Sequence, residues 1–562
     1  MALFTINLPT GSSLEKSLIT QPQPPDDKRK LNNATRKLTK ITKNYKNDCF
    51  HKYLANLSPT ANSNCSLWKA SRKHTRLPQI IPPIRNPQGG WARSPVEKTN
   101  LFANHLSNVF KPHFSKTAAE ITEYLHSPFQ MSPPIEPFTS VRVTELIRRL
   151  NPRKSSGHDL IGNKAIKDLS IKVIALITSI FNAILRLEYF PKKMLTNRLL
   201  PLLEYLKTLP DHQFGFRKKH STVEQIHCIT YIISQTLEKK KYRSAEFLDI
   251  QQVFDKLWHE RLLYKLNKIL PHTYFSILKC YLTNRQFMVK YLDATSSTFP
   301  IESGIPQGSV LAPLLFSIYT ADLPISTEIT IATFADDAAL LASHADTIIA
   351  SSTLQRCLDS MEKWFHKWSF KINDKKSTQV TFTLRKQTCP QVTINDTTIP
   401  SKDIVRYLGM NLDRRLTWKN HITDKTKQLK DKLKKFYWLI GRRSNLSTQN
   451  RITLYKTVIK PVWTYGIQLW GTASNSNIEI LQRFQSKTLR SLVDAPWYVT
   501  NETIHRDLKI PTVKEEIAKY SDRYSKRVNK HRNPLITGLL DTSDQIRRLK
   551  RHYPLDLNTR FN

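Results

Sequence analysis

The sequence predicts an α+β fold in which an antiparallel sheet packs against helices. Two apolar runs of strand length, residues 331–334 and 338–341, flank the adjacent pair Asp336 and Asp337. This pattern is typical of a β-hairpin whose tight turn carries two carboxylates. A further strand-length run, residues 245–250, carries Asp249 near its end, and apolar side chains at helical spacing follow it over residues 253–269.

The paired aspartates imply a bound cation. Two like charges side by side repel each other, so a fold normally tolerates them where a positive ion offsets the repulsion. Hard divalent metals such as Mg²⁺ prefer carboxylate oxygen. A strand-end Asp249 with Asp336 and Asp337 in a turn suits a two-metal phosphoryl-transfer site, whose ions lie ~4 Å apart. The alternatives are an ordinary Asp-Asp surface turn and, for Asp249, a helix N-cap.

Between these carboxylates the chain has a loop rich in Gly and Pro, residues 304–309, followed by an apolar helical pattern. Glycine allows close approach of the backbone to a ligand, although it also serves as plain punctuation between elements.

Three ordered stretches resemble motifs A, B and C of reverse transcriptases. They are FLDIQQVFDKLWH at 247–259, GIPQGSVLAPLLF at 304–316 and FADDAALL at 334–341. The flanking residues 211–222 and 406–418 resemble the enzymes of jockey-type non-LTR retrotransposons, and the similarity runs from about residue 30 to the C-terminus. One such motif is weak evidence, whereas three in order with these flanks are specific.

The resemblance implies a right-hand polymerase with palm, fingers, a helical thumb and a C-terminal helical extension. The expected regions are a basic N-terminal region at 1–130, fingers and palm at 131–418, a thumb at 419–475 and a C-terminal basic helical region at 476–562. The implied activity is RNA-templated DNA synthesis on a primer 3′-hydroxyl. Its implied partners are an RNA template, a DNA primer and deoxynucleoside triphosphates, with Mg²⁺, or alternatively Mn²⁺, as cofactor.

The resemblance also implies roles for single residues. Asp249 and Asp336 are expected to bridge both metals, Asp337 to support them, and the Ile250 carbonyl to add a ligand. Phe254 matches the steric gate that excludes a ribose 2′-hydroxyl, and it is also compatible with a core position on an amphipathic helix.

The expected nucleotide contacts are Gln307 and Gly308 at the template-side base pair and Lys376 near the leaving pyrophosphate. Lys376 is equally compatible with an ordinary strand-edge turn. Nucleic-acid contacts are expected from Arg217 and Lys218 and from the primer-grip hairpin at Tyr407, Leu408 and Gly409, for which a core hairpin is the alternative.

The chain departs from the family pattern in two places, so the resemblance indicates polymerase ancestry without establishing present activity. Between Met194 and Leu199 the chain lacks a few tens of residues that normally supply finger strands and an arginine for the triphosphate. Before residue 150 it shows no nuclease constellation of His, Asp and Glu, which predicts a fragment or 5′-truncated copy. The rival functions are therefore a DNA-templated or repair polymerase and an inactive remnant that only binds nucleic acid.

Composition favours a polyanionic partner. The 562 residues include 87 Lys or Arg against 45 Asp or Glu, a formal charge of +42, so binding should depend on salt. No apolar run is long enough to span a bilayer, and residues 171–187 are predicted to form an ordinary buried helix. Six scattered cysteines and no secretory signal predict an intracellular protein of nucleus or cytoplasm, not a secreted one.

Both ends of the chain are basic. Residues 1–30 are predicted to be disordered, 28–46 to form a basic helix, and a lysine-rich helix from Ile422 suits a duplex backbone. Trp497, Tyr498 and His505 in the C-terminal region could stack on single strands, but core packing is the preferred prediction for them.

Overall fold

The structure is a computed structural model that describes residues 25–60, 65–73, 81–87, 89–112, 121, 123–125, 137–152, 162–186, 199, 203, 208–306, 309, 311–442, 444–540 and 547–557. The finger gap between Met194 and Leu199, and the predicted contacts of Gln307 and Gly308, lie outside the described residues. The first helix begins at Pro25, so the predicted disorder is wrong for residues 25–30.

The strands form one larger sheet and several two-stranded sheets. They are β1 Ile84–Arg85, β2 Trp91–Ala92, β3 Tyr242–Asp249, β4 Gln286–Phe287, β5 Lys290–Tyr291, β6 Ala294–Thr295, β7 Phe299–Pro300, β8 Thr330–Phe334, β9 Asp337–His344, β10 Thr378–Phe382, β11 Thr393–Ile394, β12 Thr397–Thr398, β13 Ile404–Tyr407 and β14 Met410–Asp413.

The larger sheet has the strand order β10-β3-β9-β8 and is antiparallel throughout. Strand β3 is central and almost wholly buried, although it carries Arg243, Ser244 and Glu246 as well as apolar side chains. The predicted hairpin is confirmed as β8 and β9, and the strand expected at 245–250 is confirmed as β3.

The described residues also form helices. They are α1 Pro25–Ala55, α2 Leu67–Lys73, α3 Pro95–Val109, α4 Ser140–Arg148, α5 Asn163–Lys167, α6 Ile171–Arg186, α7 Thr222–Glu238, α8 Val253–Lys256, α9 His259–Ile269, α10 His272–Leu282, α11 Ala312–Tyr319, α12 Thr347–Lys367, α13 Lys419–Ile440, α14 Thr448–Leu454, α15 Lys460–Thr464, α16 Ile467–Trp470, α17 Asn475–Val493, α18 Asn501–Asp507, α19 Val513–Val528 and α20 Pro534–Thr537. A π-helical turn, Tyr455–Ile459, joins α14 to α15, and 3₁₀ turns lie at Gly538–Leu540 and Pro554–Asp556.

The main hydrophobic core lies between the sheet and its helices. Leu248 of β3 and Leu340 of β9 are buried in it together with Leu354 and Leu358 of α12. Helix α12 begins at a true cap, because the Asp346 carboxylate accepts from the Ile348 and Ile349 amides at 2.7 and 3.1 Å. Helix α12 packs against both β3 and β9.

Two sequence predictions need correction. The helix expected over 253–269 is broken into α8 and α9, because Leu257 and Trp258 adopt extended backbone conformations. The helix expected at 171–187 is confirmed as α6, but it is not buried: Ile174 is buried, while Ile171 is 84% exposed. An apolar run predicts a helix without deciding how many of its faces find a partner.

The chain divides into two compact units. The first comprises Met1–Gln79, Thr426–Tyr465 and Arg483–Ile510, and within it the Asn450 amide donates to the Leu57 carbonyl at 2.7 Å. The second comprises Ile80–Lys425, Gly466–Gln482 and Pro511–Asn562 and contains the four-stranded sheet.

None of the helices in the described ranges combines the length and the apolar character needed to cross a membrane.

Candidate active site

The three predicted carboxylates meet at one end of the four-stranded sheet. Asp249 is the last residue of β3 and lies directly opposite Asp337, the first residue of β9. Asp336 occupies the turn that joins β8 to β9, and Ala335 before it has a left-handed φ of 58°. Because antiparallel neighbours lie about 5 Å apart, the strand register alone brings Asp249 next to the turn that carries the aspartate pair.

The electrostatics of this cluster match the proximity. Burial raises the pKa of Asp337 to about 6, with further contributions from the charges of Asp336 and Asp249. The pKa of Asp336 is also raised, first by burial and then by Asp249, although a hydrogen bond to its own backbone amide opposes the shift. The negative charges of the three carboxylates therefore repel one another, and a cation placed among them would offset this repulsion.

The donor set fits a hard divalent cation, because carboxylate oxygens are the ligands that Mg²⁺ and Mn²⁺ prefer. Over the part of the chain that the structure covers, no three His, Cys, Asp or Glu side chains converge closely enough to hold an ion by themselves. Mg²⁺ commonly takes one or two carboxylates and completes its shell with water and substrate phosphate oxygens. One or two of Asp249, Asp336 and Asp337 would hold such an ion, and Ile250 follows Asp249 at the position expected for a carbonyl ligand.

Asp249 is anchored by the turn that precedes β10. Its backbone amide donates to the Ser377 hydroxyl at 3.2 Å, and its carbonyl accepts from the Asn373 amide at 2.8 Å. The same turn carries Lys376, whose Nζ lies 3.7 Å from Asp249 Oδ2. The structure therefore brings together Asp249 and Lys376, two residues that were predicted separately. Both side chains are solvent-accessible, so Lys376 can leave Asp249 and pair with another anion.

A side chain that the sequence analysis did not single out holds the Asp336 turn. Gln213 Oε1 accepts from the amides of Ala335 at 3.1 Å and Gly215 at 2.9 Å. Two backbone bonds add to this contact: the Phe214 amide donates to the Thr333 carbonyl, and the Thr333 amide donates to the His212 carbonyl. Gly215 packs so tightly that a Cβ there would lie 2.2 Å from the Ala335 nitrogen. Gln213 lies within the family-like stretch 211–222 of the sequence, but no role was predicted for it.

The beginning of the Gly- and Pro-rich loop docks on the turn after β3. Gly304 has a φ of 89°, and a Cβ there would lie 2.7 Å from the Asp255 carbonyl oxygen, so glycine is required. Its carbonyl pairs with His259 Nε2 at 2.7 Å and accepts from Arg285 at 3.1 Å. The Ile305 amide donates to the Phe254 carbonyl at 2.8 Å. The loop therefore enters beside Phe254 before it reaches the residues that the structure does not describe.

Phe254 lies between the core and the site. Its ring centroid is 5.1 Å from that of the buried Phe316 and 6.0 Å from that of the exposed Phe216. The side chain is half-buried, so the core and gate interpretations of Phe254 are compatible.

The residues predicted to contact nucleic acid differ in exposure and in their bonding within the chain. The Arg217 guanidinium donates to the Pro210 carbonyl at 2.9 Å and so helps to fold its own loop, whereas Lys218 is exposed. In the β13–β14 hairpin, Tyr407 is buried against Phe247, with ring centroids 5.2 Å apart. Tyr407 therefore occupies the core position.

The turn of this hairpin consists of Leu408 and Gly409. Their φ values of 44° and 80° are those of a two-residue turn with both central residues left-handed. Both residues are half-buried.

The C-terminal helices of the second unit fasten the loop that carries Gln213. Asn533 Nδ2 donates to the Asp211 carbonyl at 3.0 Å, and His531 Nε2 lies 3.0 Å from the Lys219 carbonyl oxygen. Further along, Tyr524 of α19 pairs its hydroxyl with buried His227 of α7 at 2.8 Å. The loop is thus held on one side by the Asp336 turn and on the other by the C-terminal segment.

Carboxylates at adjoining strand ends, with a lysine beside them, are typical of enzymes that transfer phosphoryl or nucleotidyl groups with divalent metals. Residues 190–412 match the family described as reverse transcriptase (RNA-dependent DNA polymerase).

Relatives extend the similarity over nearly the whole chain. Over 581 residues this chain is 36% identical to the probable RNA-directed DNA polymerase from transposon X-element of Drosophila melanogaster. The match covers 95% of this chain and 64% of that protein. This chain is 35% identical to the RNA-directed DNA polymerase from mobile element jockey of the same species, covering 91% and 63%. The resemblance to jockey-type enzymes is confirmed, and the chain spans just under two thirds of the length of these relatives.

Among solved structures, apo telomerase from Candida tropicalis is similar over 66% of this chain and 64% of that chain, with 11% identity and a TM-score of 0.33.

Proposed function

We propose that the chain catalyses RNA-directed DNA synthesis, adding deoxynucleotides to a primer 3′-hydroxyl on an RNA template. The observation that carries the proposal is the strand register that sets Asp249 opposite Asp337, with Asp336 in the adjoining turn. The match of residues 190–412 to the reverse transcriptase family supports this reaction over other metal-assisted phosphoryl transfers.

The carboxylates are the groups that would hold the divalent ions. Bound there, Mg²⁺ lowers the pKa of the primer hydroxyl and offsets charge on the leaving oxygen. Asp249 is fixed by Ser377 and Asn373, and the Asp336 turn is fixed by Gln213, so the acids are positioned before substrate binds. Such positioning matters because phosphoryl transfer depends mainly on geometry and charge stabilisation.

Two further side chains act on the incoming nucleotide. Lys376 is exposed and lies 3.7 Å from Asp249, so its amine can turn to the pyrophosphate as negative charge develops there. Phe254 follows Asp249 by five residues and presents a half-buried ring, whose bulk is proposed to exclude a ribose 2′-hydroxyl. Palm, fingers and thumb remain the proposed division of the chain.

A second candidate function is nucleic-acid binding without polymerisation. The alignment with the X-element polymerase spans 581 residues, more than the 562 of this chain, so that relative has segments without a counterpart here. Loss of a finger segment that grips the triphosphate would remove activity and leave binding intact.

Primer extension on matched RNA and DNA templates separates these functions. The proposal predicts extension on RNA template that requires Mg²⁺ or Mn²⁺. Extension on DNA template alone would indicate a DNA-templated polymerase. Absence of extension on both templates would favour the binding function if the chain still binds an RNA–DNA hybrid. The affinity for that hybrid should then fall steeply as the salt concentration rises.

A further inference from the structure

The first compact unit displays two adjacent aromatic side chains almost entirely to solvent. Trp497 is 90% exposed and Tyr498 is 69% exposed. The prediction of core packing is therefore wrong for both, whereas His505 is buried and pairs its Nδ1 with the Ile510 carbonyl at 2.7 Å. Large aromatic side chains bury more apolar area than most residues when they find a partner. Such a pair left uncovered points to a partner outside the chain.

The loop that carries these rings is built by one arginine. The Arg490 guanidinium donates to the carbonyls of Pro496 and Val499, each at 2.6 Å, and to Asn501 Oδ1 at 3.1 Å. The Val499 amide closes the turn on the Pro496 carbonyl at 3.2 Å. Trp497 and Tyr498 therefore lie between the two carbonyls, of Pro496 and Val499, that Arg490 binds. The backbone that carries both rings is thus ordered before a ligand binds.

Ordering in advance matters for affinity. A platform whose backbone is already fixed loses little conformational entropy when a ligand binds. The ring centroids of Trp497 and Tyr498 are 6.0 Å apart and the rings are inclined at 81°, so they do not stack on each other. With nine-tenths of Trp497 exposed, the indole face is open to a planar ligand.

The net charge of two segments of the first compact unit favours one kind of ligand. Residues 426–465 contain ten Lys or Arg and one acid, and residues 483–510 contain five Lys or Arg and three acids. Asp494, one of those acids, is paired with Arg442 at 3.2 Å. An acidic or phosphate-bearing ligand is therefore favoured over a basic one.

We propose that Trp497 and Tyr498 form a stacking platform for unpaired bases of a single-stranded nucleic acid. Exposed aromatic rings on a basic surface bind single strands in this way, because every base has a face to stack and the surrounding cations neutralise the phosphates. Paired bases in a duplex offer no such face away from the helix ends. The platform is independent of the carboxylate site and goes beyond the proposed polymerase reaction.

The test uses the full chain and a short fluorescent oligouridylate, with affinity measured by anisotropy in the absence of nucleotides. Trp497→Ala should weaken binding by about 5- to 150-fold, the range for one lost base–aromatic stack. Trp497→Phe keeps a stacking face and should bind within a few-fold of wild type. Trp497→Leu keeps apolar bulk without the ring and should behave like the alanine variant. Ile348→Ala, at an exposed apolar residue of the second unit, should change nothing.

Salt dependence distinguishes stacking from charge. Because the indole contacts no phosphate, Trp497→Ala should lower affinity at every salt concentration and leave the slope of log Kd against log salt unchanged. Wild-type affinity in Trp497→Ala, or equal affinity in the Phe and Leu variants, would overturn the proposal; the second result would indicate an apolar docking surface instead. Since no nucleotide is added, neither result bears on polymerase activity.

Discussion

The Gln213 side chain and the Ala335 backbone amide, 122 residues apart in sequence, are joined by a hydrogen bond of 3.1 Å. The same oxygen accepts from the Gly215 amide at 2.9 Å, so one buried amide group fixes both its own loop and the turn that carries Asp336. An acceptor shared by two backbone donors restrains the relative position of two segments more strongly than a single contact does. The geometry of the aspartate pair therefore depends on a residue that is not itself a candidate ligand.

Replacing Gln213 by Ala should slow primer extension by about a hundredfold, because small displacements of catalytic groups cost that much. Binding of an RNA–DNA hybrid should be unchanged. The matched control is Gln355→Ala, since Gln355, a half-buried residue of α12, also bonds a backbone amide and carbonyl, both of Thr393. Equal activity in the two variants would show that the Asp336 turn is held without Gln213.

Gly215→Ala should disturb the same turn by steric contact. Its new Cβ would lie 2.2 Å from the Ala335 nitrogen, which real Cβ atoms do not reach, so the β8–β9 turn must shift. We expect lower thermal stability and a loss of extension similar to that of Gln213→Ala. At Gly538 a Cβ meets no atom within 4 Å, so Gly538→Ala should leave both properties near wild type. Normal extension by Gly215→Ala would contradict the close approach of the loop to the turn.

Asn533→Ala tests whether the C-terminal segment supports the site. It removes the bond to the Asp211 carbonyl, at 3.0 Å, and the helix cap in which Asn533 Oδ1 accepts from the Leu535 amide at 2.9 Å; losing both typically costs about 1–3 kcal/mol. The melting temperature should fall and extension should decline with it. Asn529→Ala, at an exposed position one turn earlier, is the control. A stable Asn533→Ala protein with full activity would mean that the C-terminal segment does not support the loop.

The sequence was sufficient for the elements that local patterns specify. Two apolar runs predicted the aspartate hairpin. In the structure, strand β9 of this hairpin pairs with β3, which places Asp249 beside the aspartate turn. The sequence was insufficient where distant segments decide. The bond from Gln213 to Ala335 has no local pattern. Helical spacing continued through Leu257 and Trp258, although the backbone there extends and the Gly304 amide donates to the Leu257 carbonyl. An aromatic pair such as Trp497 and Tyr498 reads as core because hydrophobicity does not reveal whether a partner covers it.

Glu246 predicts a pH dependence of stability. It lies on β3 with no exposed surface, between Leu340 and Gln379 on the neighbouring strands, and neither carboxyl oxygen has a hydrogen-bond partner within the described ranges. Burial raises its pKa from 4.5 to about 9. Because the folded state retains the proton, this group's contribution is fully present below pH 4.5 and is lost as pH rises toward about 9.

Glu246→Gln removes that titration. Its melting temperature relative to wild type should therefore increase steadily as the pH is raised from acidic to mildly alkaline values. A difference between the two proteins that stays constant with pH would mean that Glu246 is ionised in the folded chain.

The central claim, that the aspartate cluster transfers nucleotides, is tested most directly by Asp336→Asn. The change keeps shape and hydrogen bonding and removes one charge that would hold Mg²⁺. RNA-templated extension should fall about a thousandfold or more. Hybrid affinity should be unchanged, and metal-free stability equal or higher, because one of two repelling carboxylates is gone. Asp293→Asn, in the exposed β5–β6 turn, should match wild type. Extension by Asp336→Asn at the wild-type rate would contradict the assignment of the site.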